Sequence, residues 1–382
     1  MRIAIDGRTI VSGRTGVGVY AERIVRSLLG IDRANEYFLF LVEPVKDLHA
    51  PNLNTIFIEG YDRIGRNRFW ENFLLPRFMA SHSVDLFFAP AYALPVLPFV
   101  YAKRNRLKRP RFVVTIHDLI GLLHPETFTR KMYFWQKIFV ANAARRADKI
   151  ITASEATKTD LLELHAVNEE RVTVIYHSID EDFVPINDRR RLSTTQAKYG
   201  LPEKAVLYVG TIEPRKNIVG LAKAFAMLTA EERSDFTLII AGRPGWYVES
   251  IHEEIGRLQL GRRIRFLGYV DRQDLPALYN LSTVFAYPSL YEGFGFPPLE
   301  AMSCGIPVLC SNTSSFPEVV GDAAIMVDPH DLGGMSKQLG RLLSDASLRN
   351  ELGRKGIARS RQFSAQKTAQ ATLRVFQEVA DR

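Results

Sequence analysis

Short apolar runs of three to six residues alternate with longer helical stretches along nearly the whole chain, and nothing else restricts the fold as tightly. In the first half, runs at 3–6, 37–42, 55–58, 85–89, 112–116, 149–153 and 172–176 have the length and apolar content of buried strands. Helices are expected between them at 17–29, 69–80, 132–147 and 155–164, the last behind Ser154, a residue type suited to an N-cap. The alternation stops over 180–200, where Asp180-Glu181-Asp182, Pro185 and Arg189-Arg190-Arg191 break the pattern and a linker is expected. It resumes with strands expected at 205–209, 236–241, 264–267, 283–287, 308–310 and 325–327. Strand–helix–strand repetition builds parallel sheets covered on both faces. Two such series give an α/β chain of two doubly wound, Rossmann-like domains facing across a cleft, with ligands at the carboxyl ends of the strands.

Length agrees with this, since 382 residues exceed one typical core and suit two domains of about 190 residues each. Cys304 and Cys310 lie in or near apolar runs, which is no disulfide framework and suits a reducing compartment. The chain enters its first strand at once, so no signal peptide is expected ahead of the fold. No apolar stretch nears the roughly 20 residues of a membrane span. A cytoplasmic protein is expected. The net charge of +8 has a local concentration: Lys103, Arg104, Arg106, Lys108, Arg109 and Arg111 crowd together without an acid among them. Such a run is most often a solvated loop, and otherwise suits nucleic acid or an anionic membrane.

The chemistry concentrates in residues 289–305, Ser-Leu-Tyr-Glu-Gly-Phe-Gly-Phe-Pro-Pro-Leu-Glu-Ala-Met-Ser-Cys-Gly. This stretch follows an expected strand and runs into a helix start marked by Pro297 and Pro298. Gly293 and Gly295 allow a tight turn and a close approach to a ligand. The N–H groups at such a helix start suit a phosphate. Glu292 and Glu300 bracket the loop, and carboxylates are suited to accept hydrogen bonds from sugar or ribose hydroxyls, or to face developing positive charge. A polar turn with surface glutamates would show the same residue types. The phosphate cradle flanked by two carboxylates points instead to a nucleotide-sugar site.

The Glu-x7-Glu frame around Gly-Phe-Gly-Phe-Pro-Pro does not stand alone. It is followed by Glu300-Ala301-Met302-Ser303-Cys304-Gly305-Ile306-Pro307-Val308 and by Pro317-Glu318-Val319-Val320-Gly321-Asp322. Together these resemble the signature of the family-4 retaining glycosyltransferases of the GT-B fold. The resemblance spans nearly the whole chain and implies domains at 1–183 and 184–365, with a terminal helix at 366–382 packing back on the first. It implies that Glu292 holds the donor sugar hydroxyls, Glu300 the ribose, and the loop Gly293, Phe294, Gly295 and Phe296 the donor phosphate. The segment Gly210-Thr211-Ile212-Glu213-Pro214-Arg215-Lys216-Asn217 follows the strand at 205–209. The resemblance puts Arg215 and Lys216 against the diphosphate, with Gly210 and Thr211 beside it.

Fixed cations there balance a leaving group's charge without a metal, and the linker position of Asp180-Glu181-Asp182 argues against a metal-binding triad, so no metal ligand is expected. Arg243 is expected to reach the nucleotide, and the backbone at Val270 to hold the base. The loop ending in Gly16 and Gly18 is a weak phosphate signal alone, and the resemblance sets it beside donor phosphate and acceptor. A lone histidine is more often structural, but His117, directly after a buried strand, matches the family's active-site histidine near the donor sugar. Asp118 is expected to orient its ring. The stretch His177-Ser178-Ile179-Asp180 stands where many members have Asn-Gly-Val-Asp.

The wording of Tyr-Val-Gly-Thr-Ile-Glu-Pro-Arg-Lys-Asn and of the Glu-x7-Glu loop looks like that of bacterial mannosyltransferases of surface-polysaccharide assembly. The resemblance implies retaining transfer of mannose from GDP-mannose to a hydroxyl of a lipid-linked glycan in lipopolysaccharide or exopolysaccharide synthesis, with no further cofactor. GDP-rhamnose or a UDP-sugar is the alternative donor. A GT-B-type nucleotide-sugar epimerase or a non-catalytic sugar-nucleotide sensor is the alternative function. The basic run sits in no recognised nucleic-acid-binding fold, so no such partner is expected. With Tyr101 and Leu107 among its cations, and with the segment 63–70 ending in Trp70, it suits peripheral docking on the anionic inner face of the plasma membrane.

Overall fold

The computed structural model describes residues 1–11, 16–58, 70–92, 94–95, 109–229 and 235–381. They form two compact units, Met1–Ser178 with Ser364–Arg382, and Ile179–Phe363. In the first unit the strands are β1 (Arg2–Asp6), β2 (Glu36–Leu41), β3 (Leu53–Phe57), β4 (Leu86–Ala89), β5 (Arg111–Ile116), β6 (Lys149–Thr152) and β7 (Val172–Val174). They make one parallel sheet in the order β3-β2-β1-β4-β5-β6-β7. Every residue of β4 and of β6 is buried, as continuous apolar runs in a parallel sheet require. Strand order reverses between β1 and β4, so connections leave in opposite directions and the carboxyl ends there stay open to a ligand. Pro90 and His117 follow β4 and β5 beside that point.

The second unit repeats the plan with β8 (Ala205–Val209), β9 (Thr237–Ala241), β10 (Ile264–Gly268), β11 (Val284–Tyr287), β12 (Val308–Ser311) and β13 (Ile325–Val327). The order is β10-β9-β8-β11-β12-β13, again parallel, with the reversal between β8 and β11. The loops after these two neighbours carry Arg215, Lys216 and Glu292.

Three sequence readings need correction. Residues 180–200 are not a linker. Phe183 is buried with its ring 5.8 Å from Tyr279, and Ser303 Oγ donates to its carbonyl at 2.6 Å. Arg189–Tyr199 is a helix capped by the Asp188 carboxylate and closed by Gly200 at φ 59°. It buries only Thr195, so its caps rather than an apolar stripe define it, and periodicity misses it. The terminal helix, Ala365–Ala380, buries Thr368, Ala369, Thr372, Val375, Phe376 and Val379, with Phe376 edge-on to Phe88 at 5.1 Å. Leu373 is only half-buried, at the margin of that stripe.

The third concerns the helix expected at 69–80. It begins as a π turn, Trp70–Leu74, and continues as Leu75–Ser81. Trp70 is no docking residue: it is buried 5.2 Å from Phe40, with the Arg8 guanidinium 4.7 Å from its ring. The rest of 63–70 lies outside the described residues. No described helix is long and apolar enough to cross a membrane.

Candidate active site

The second unit's site starts where backbone meets backbone. Gly210 and Gly242, just past β8 and β9, approach so closely that a Cβ on Gly242 would stand 1.8 Å from Gly210 O. Beyond Gly210 and Thr211 the chain makes a 3-10 turn, Pro214–Lys216, and Asn217 turns it into the next helix at φ 53°. Leu290 N donates to Arg215 O at 2.9 Å, which ties this turn to the loop after β11.

Four donors then converge on Glu292 Oε1: Lys216 Nζ at 2.5 Å, Ser289 Oγ at 2.8 Å, Arg215 Nη1 at 2.9 Å and Tyr287 OH at 3.0 Å. Arg215 also pairs with the buried Glu213 at 2.5 Å. Burial alone would push the Glu292 carboxyl up, but the charges of Arg215 and Lys216 and the hydrogen bonds from Lys216 and Ser289 hold it at about 2. The Lys216 ammonium is held below the ordinary lysine range by burial and then by Arg215, against the pull of Glu292 and Glu213. A buried cation so placed gains from any further anion that enters.

Sequence reasoning missed what holds Glu292 in place. Ser311 Oγ donates to Ser289 O at 2.6 Å, Thr313 Oγ1 to Leu290 O at 3.0 Å and Ser315 Oγ to Glu292 O at 2.9 Å. Ser314 Oγ accepts from Glu292 N at 3.0 Å. The hydroxyl-rich run Ser311-Asn312-Thr313-Ser314-Ser315 after a buried strand was the available signal. Downstream, Gly295 sits at φ 96° and a Cβ there would press on the Phe316 ring at 3.0 Å. It opens the helix Phe296–Ser303. The buried Phe294 ring packs against Phe363 at 5.7 Å and against the half-buried Phe296 at 5.4 Å, so Phe294 is committed to the interior. Glu300 is buried in that helix, with Oε2 accepting from Tyr279 OH at 2.9 Å. At the ends of β9 and β10, the Arg243 guanidinium lies 4.0 Å from the ring of Tyr269, which is 50% exposed, while the next residue, Val270, is buried.

In the first unit Gly16 and Gly18 form the first turn of the helix Gly16–Ile31, and residues 12–15 lie outside the described residues. His117 is buried, its Nε2 2.7 Å from Pro90 O and its Nδ1 3.0 Å from His177 Nε2. Asp118 is therefore not what orients the ring. Its Oδ1 accepts from Ile120 N at 3.3 Å and Gln136 Nε2 at 3.2 Å. Asp118 O also accepts from Gln136 Nε2, at 3.3 Å, so this residue is turned to the helix that follows. Of the basic run, Lys103, Arg104, Arg106 and Lys108 lie outside the described residues. Arg109 and Arg111 both pair with Asp148, at 2.6 and 3.2 Å, an acid that is distant in sequence.

The sequence model described as Glycosyl transferases group 1 matches residues 193–359, and that of Glycosyltransferase Family 4 matches 14–183. O-antigen chain mannosyltransferase B of Escherichia coli is 31% identical over 397 aligned residues, spanning 98% of this chain and 99% of its own. Serotype-specific mannosyltransferase WbdA of Escherichia coli is 35% identical over 269 residues, 69% of this chain and 33% of its own length. Among solved structures, HepE of Anabaena in complex with UDP and glucose superposes with a TM-score of 0.76 at 21% identity. That match covers 99% of this chain and 100% of the other, a likeness of fold.

Proposed function

The chain belongs to the family-4 glycosyltransferases, and on that premise we propose that it transfers mannose from GDP-mannose, with retention, to a hydroxyl of a lipid-linked O-antigen glycan. The observation that carries this reading is the convergence of Arg215 and Lys216 on Glu292 at the carboxyl ends of β8 and β11. As the bond between C1 and the diphosphate oxygen breaks, negative charge gathers on GDP, and two fixed cations stabilise it without a metal ion. Once the diphosphate draws those cations, the Glu292 carboxylate is released to accept from the sugar hydroxyls. Glu300 accepts from the ribose, the N–H groups of the loop through Gly293 and Gly295 meet phosphate, and Arg243 with the Val270 backbone meets the guanine. His117 donates its Nε2–H to a sugar hydroxyl that takes the place of the Pro90 carbonyl, 2.7 Å away. The acceptor oxygen bonds to C1 on the face that GDP leaves, and its proton departs with the diphosphate. Mannose and the O-antigen acceptor are supported by the relatives named as O-antigen mannosyltransferases.

Calorimetric titration with GDP, UDP and ADP in EDTA, followed by a transfer assay with labelled GDP-mannose, tests the proposal. Selective GDP binding and metal-free mannose transfer are expected. Selective UDP binding overturns the donor, and no binding of any nucleotide overturns the diphosphate role of the cluster.

A lipid-linked acceptor implies work at a membrane, and the helix Arg130–Arg146 suits an anionic bilayer surface. It carries Arg130, Lys131, Lys137, Arg145 and Arg146 without an acid, and Phe134 on it is 57% exposed. Each cation near such a surface contributes about 1 kcal/mol, and the phenyl ring adds apolar contact. The enzyme is expected to float with phosphatidylglycerol vesicles at low salt and to be released at high salt. The double variant Phe134→Ser with Lys137→Glu is expected to lose most of this binding, and undiminished flotation would rule out this face.

A further inference from the structure

His177 touches the histidine placed at the reacting centre, yet it has no role in the scheme above. It is buried just after β7, and the carbonyls on either side of it are held: Thr368 Oγ1 donates to Tyr176 O at 2.9 Å, and Arg23 Nη1 donates to Ser178 O at 2.5 Å. Its ring lies 4.2 Å from that of Tyr20, which also stands edge-on to His117 at 4.9 Å and meets the Thr115 hydroxyl at 3.1 Å. Backbone and ring are thus fixed, and Nε2 stands 3.0 Å from His117 Nδ1.

A proton order follows from donor and acceptor types alone. Pro90 O can only accept, so His117 Nε2, 2.7 Å away, carries the hydrogen. In a neutral ring Nδ1 is then the lone pair, and His177 Nε2–H must donate to it. The pair stays neutral for physical reasons. Burial holds His117 below the ordinary histidine range, opposed by the Pro90 carbonyl and the charge of Asp118. Burial, then His117 and Arg23, hold His177 well below it. The hydrogen bonds therefore run one way, from His177 through His117 to Pro90 O.

We propose that His177 is a positioning residue for glycosyl transfer: it fixes His117 as the Nε2–H tautomer, so that the N–H held by Pro90 O is the one a sugar hydroxyl takes over when it replaces that carbonyl. This rests on the placement of His117 at the reacting centre. Without a donor at Nδ1 the buried lone pair is unsatisfied, and the ring recovers by moving its proton to Nδ1 or by turning. Either change withdraws the N–H from Nε2.

Two variants test the idea in the full-length protein. His177→Leu removes the donor at similar bulk, and His177→Gln keeps an amide N–H at about the reach of the imidazole Nε2. The readouts are the ring-nitrogen NMR signature of His117 in 15N-histidine-labelled protein, and kcat and KM for mannose transfer. Wild type and His177→Gln are expected to show the Nε2–H tautomer, and His177→Leu to lose it. In His177→Leu, kcat is expected to fall roughly tenfold to a hundredfold with little change in KM, and His177→Gln to recover most of it. An unchanged tautomer in His177→Leu overturns the proposal, as does a folded His177→Gln as impaired as His177→Leu. If His177→Leu does not fold, His177→Gln decides alone: a kept tautomer with near-normal kcat supports the role, and loss of either overturns it. The tautomer is read without any donor, so a wrong sugar nucleotide and a wrong role for His177 give different results.

Discussion

Lys216→Met is expected to lower kcat for transfer by roughly two to three orders of magnitude, with a smaller rise in KM and a nearly unchanged melting temperature. The split follows from where charge develops. The bound donor already carries a charged diphosphate, so the ammonium contributes something to binding. Most of its effect falls where the C1–O bond breaks and further charge moves onto the phosphate, in a site where buried groups screen little. The fold is spared because methionine keeps the aliphatic stem and Glu292 keeps Arg215 at 2.9 Å, Ser289 and Tyr287. Burial holds the Lys216 ammonium below its ordinary range, so removing the charge also removes a desolvation cost. Steady-state kinetics and a thermal melt on the same preparation decide the matter. Turnover within about threefold of wild type would make Lys216 a structural counter-ion of Glu292 and no more.

Strand positions were legible because a parallel sheet buries both faces of its strands and so writes them as unbroken apolar runs. All thirteen described strands lie within two residues of the runs read from sequence. The helix Arg189–Tyr199 was not legible, because it is polar nearly all round and its definition comes from Asp188 and Gly200 at its ends. At the site, motif resemblance singled out Arg215, Lys216 and Glu292 as separate donor contacts. It carried no information that they meet one another across 76 residues of sequence, which is a product of the strand reversal between β8 and β11. The supporting hydroxyls of Ser311, Thr313, Ser314 and Ser315 and the imidazole of His177 belong to common residue types, and only the tertiary fold supplies their partners. Asp118 shows the opposite error, since adjacency in sequence suggested a contact, while the His117 nitrogens meet Pro90 O and His177 and the Asp118 carboxylate accepts from Ile120 N and Gln136 Nε2.

That meeting of charges gives Glu292 a second role, and Glu292→Gln is expected to damage both function and fold. Glutamine has the same shape but leaves Lys216 without its carboxylate and Arg215 with Glu213 as its remaining acid partner at the site. Losing one member of a buried ion pair typically costs several kcal/mol, and the carboxyl's descent from 4.5 to about 2 corresponds to about 3 kcal/mol near neutral pH. The sign of the pH dependence follows. The folded value lies below the unfolded one, so this stabilisation is fully present above about pH 4.5 and is lost as pH falls through about 2. Urea unfolding of wild type and Glu292→Gln is therefore expected to show a gap that is widest near neutrality and closes progressively in acid, because protonation makes the wild-type side chain as neutral as the amide. A gap that stays constant from pH 7 to pH 3 would trace the loss to altered packing and remove the charge argument. Transfer by Glu292→Gln is expected to be undetectable even where the variant is folded, since the amide neither releases the two cations to the diphosphate in the same way nor accepts sugar hydroxyls as a carboxylate does. Lys216→Met, which loses rate at nearly constant stability, then separates the catalytic share of the cluster from the structural share that Glu292 alone carries.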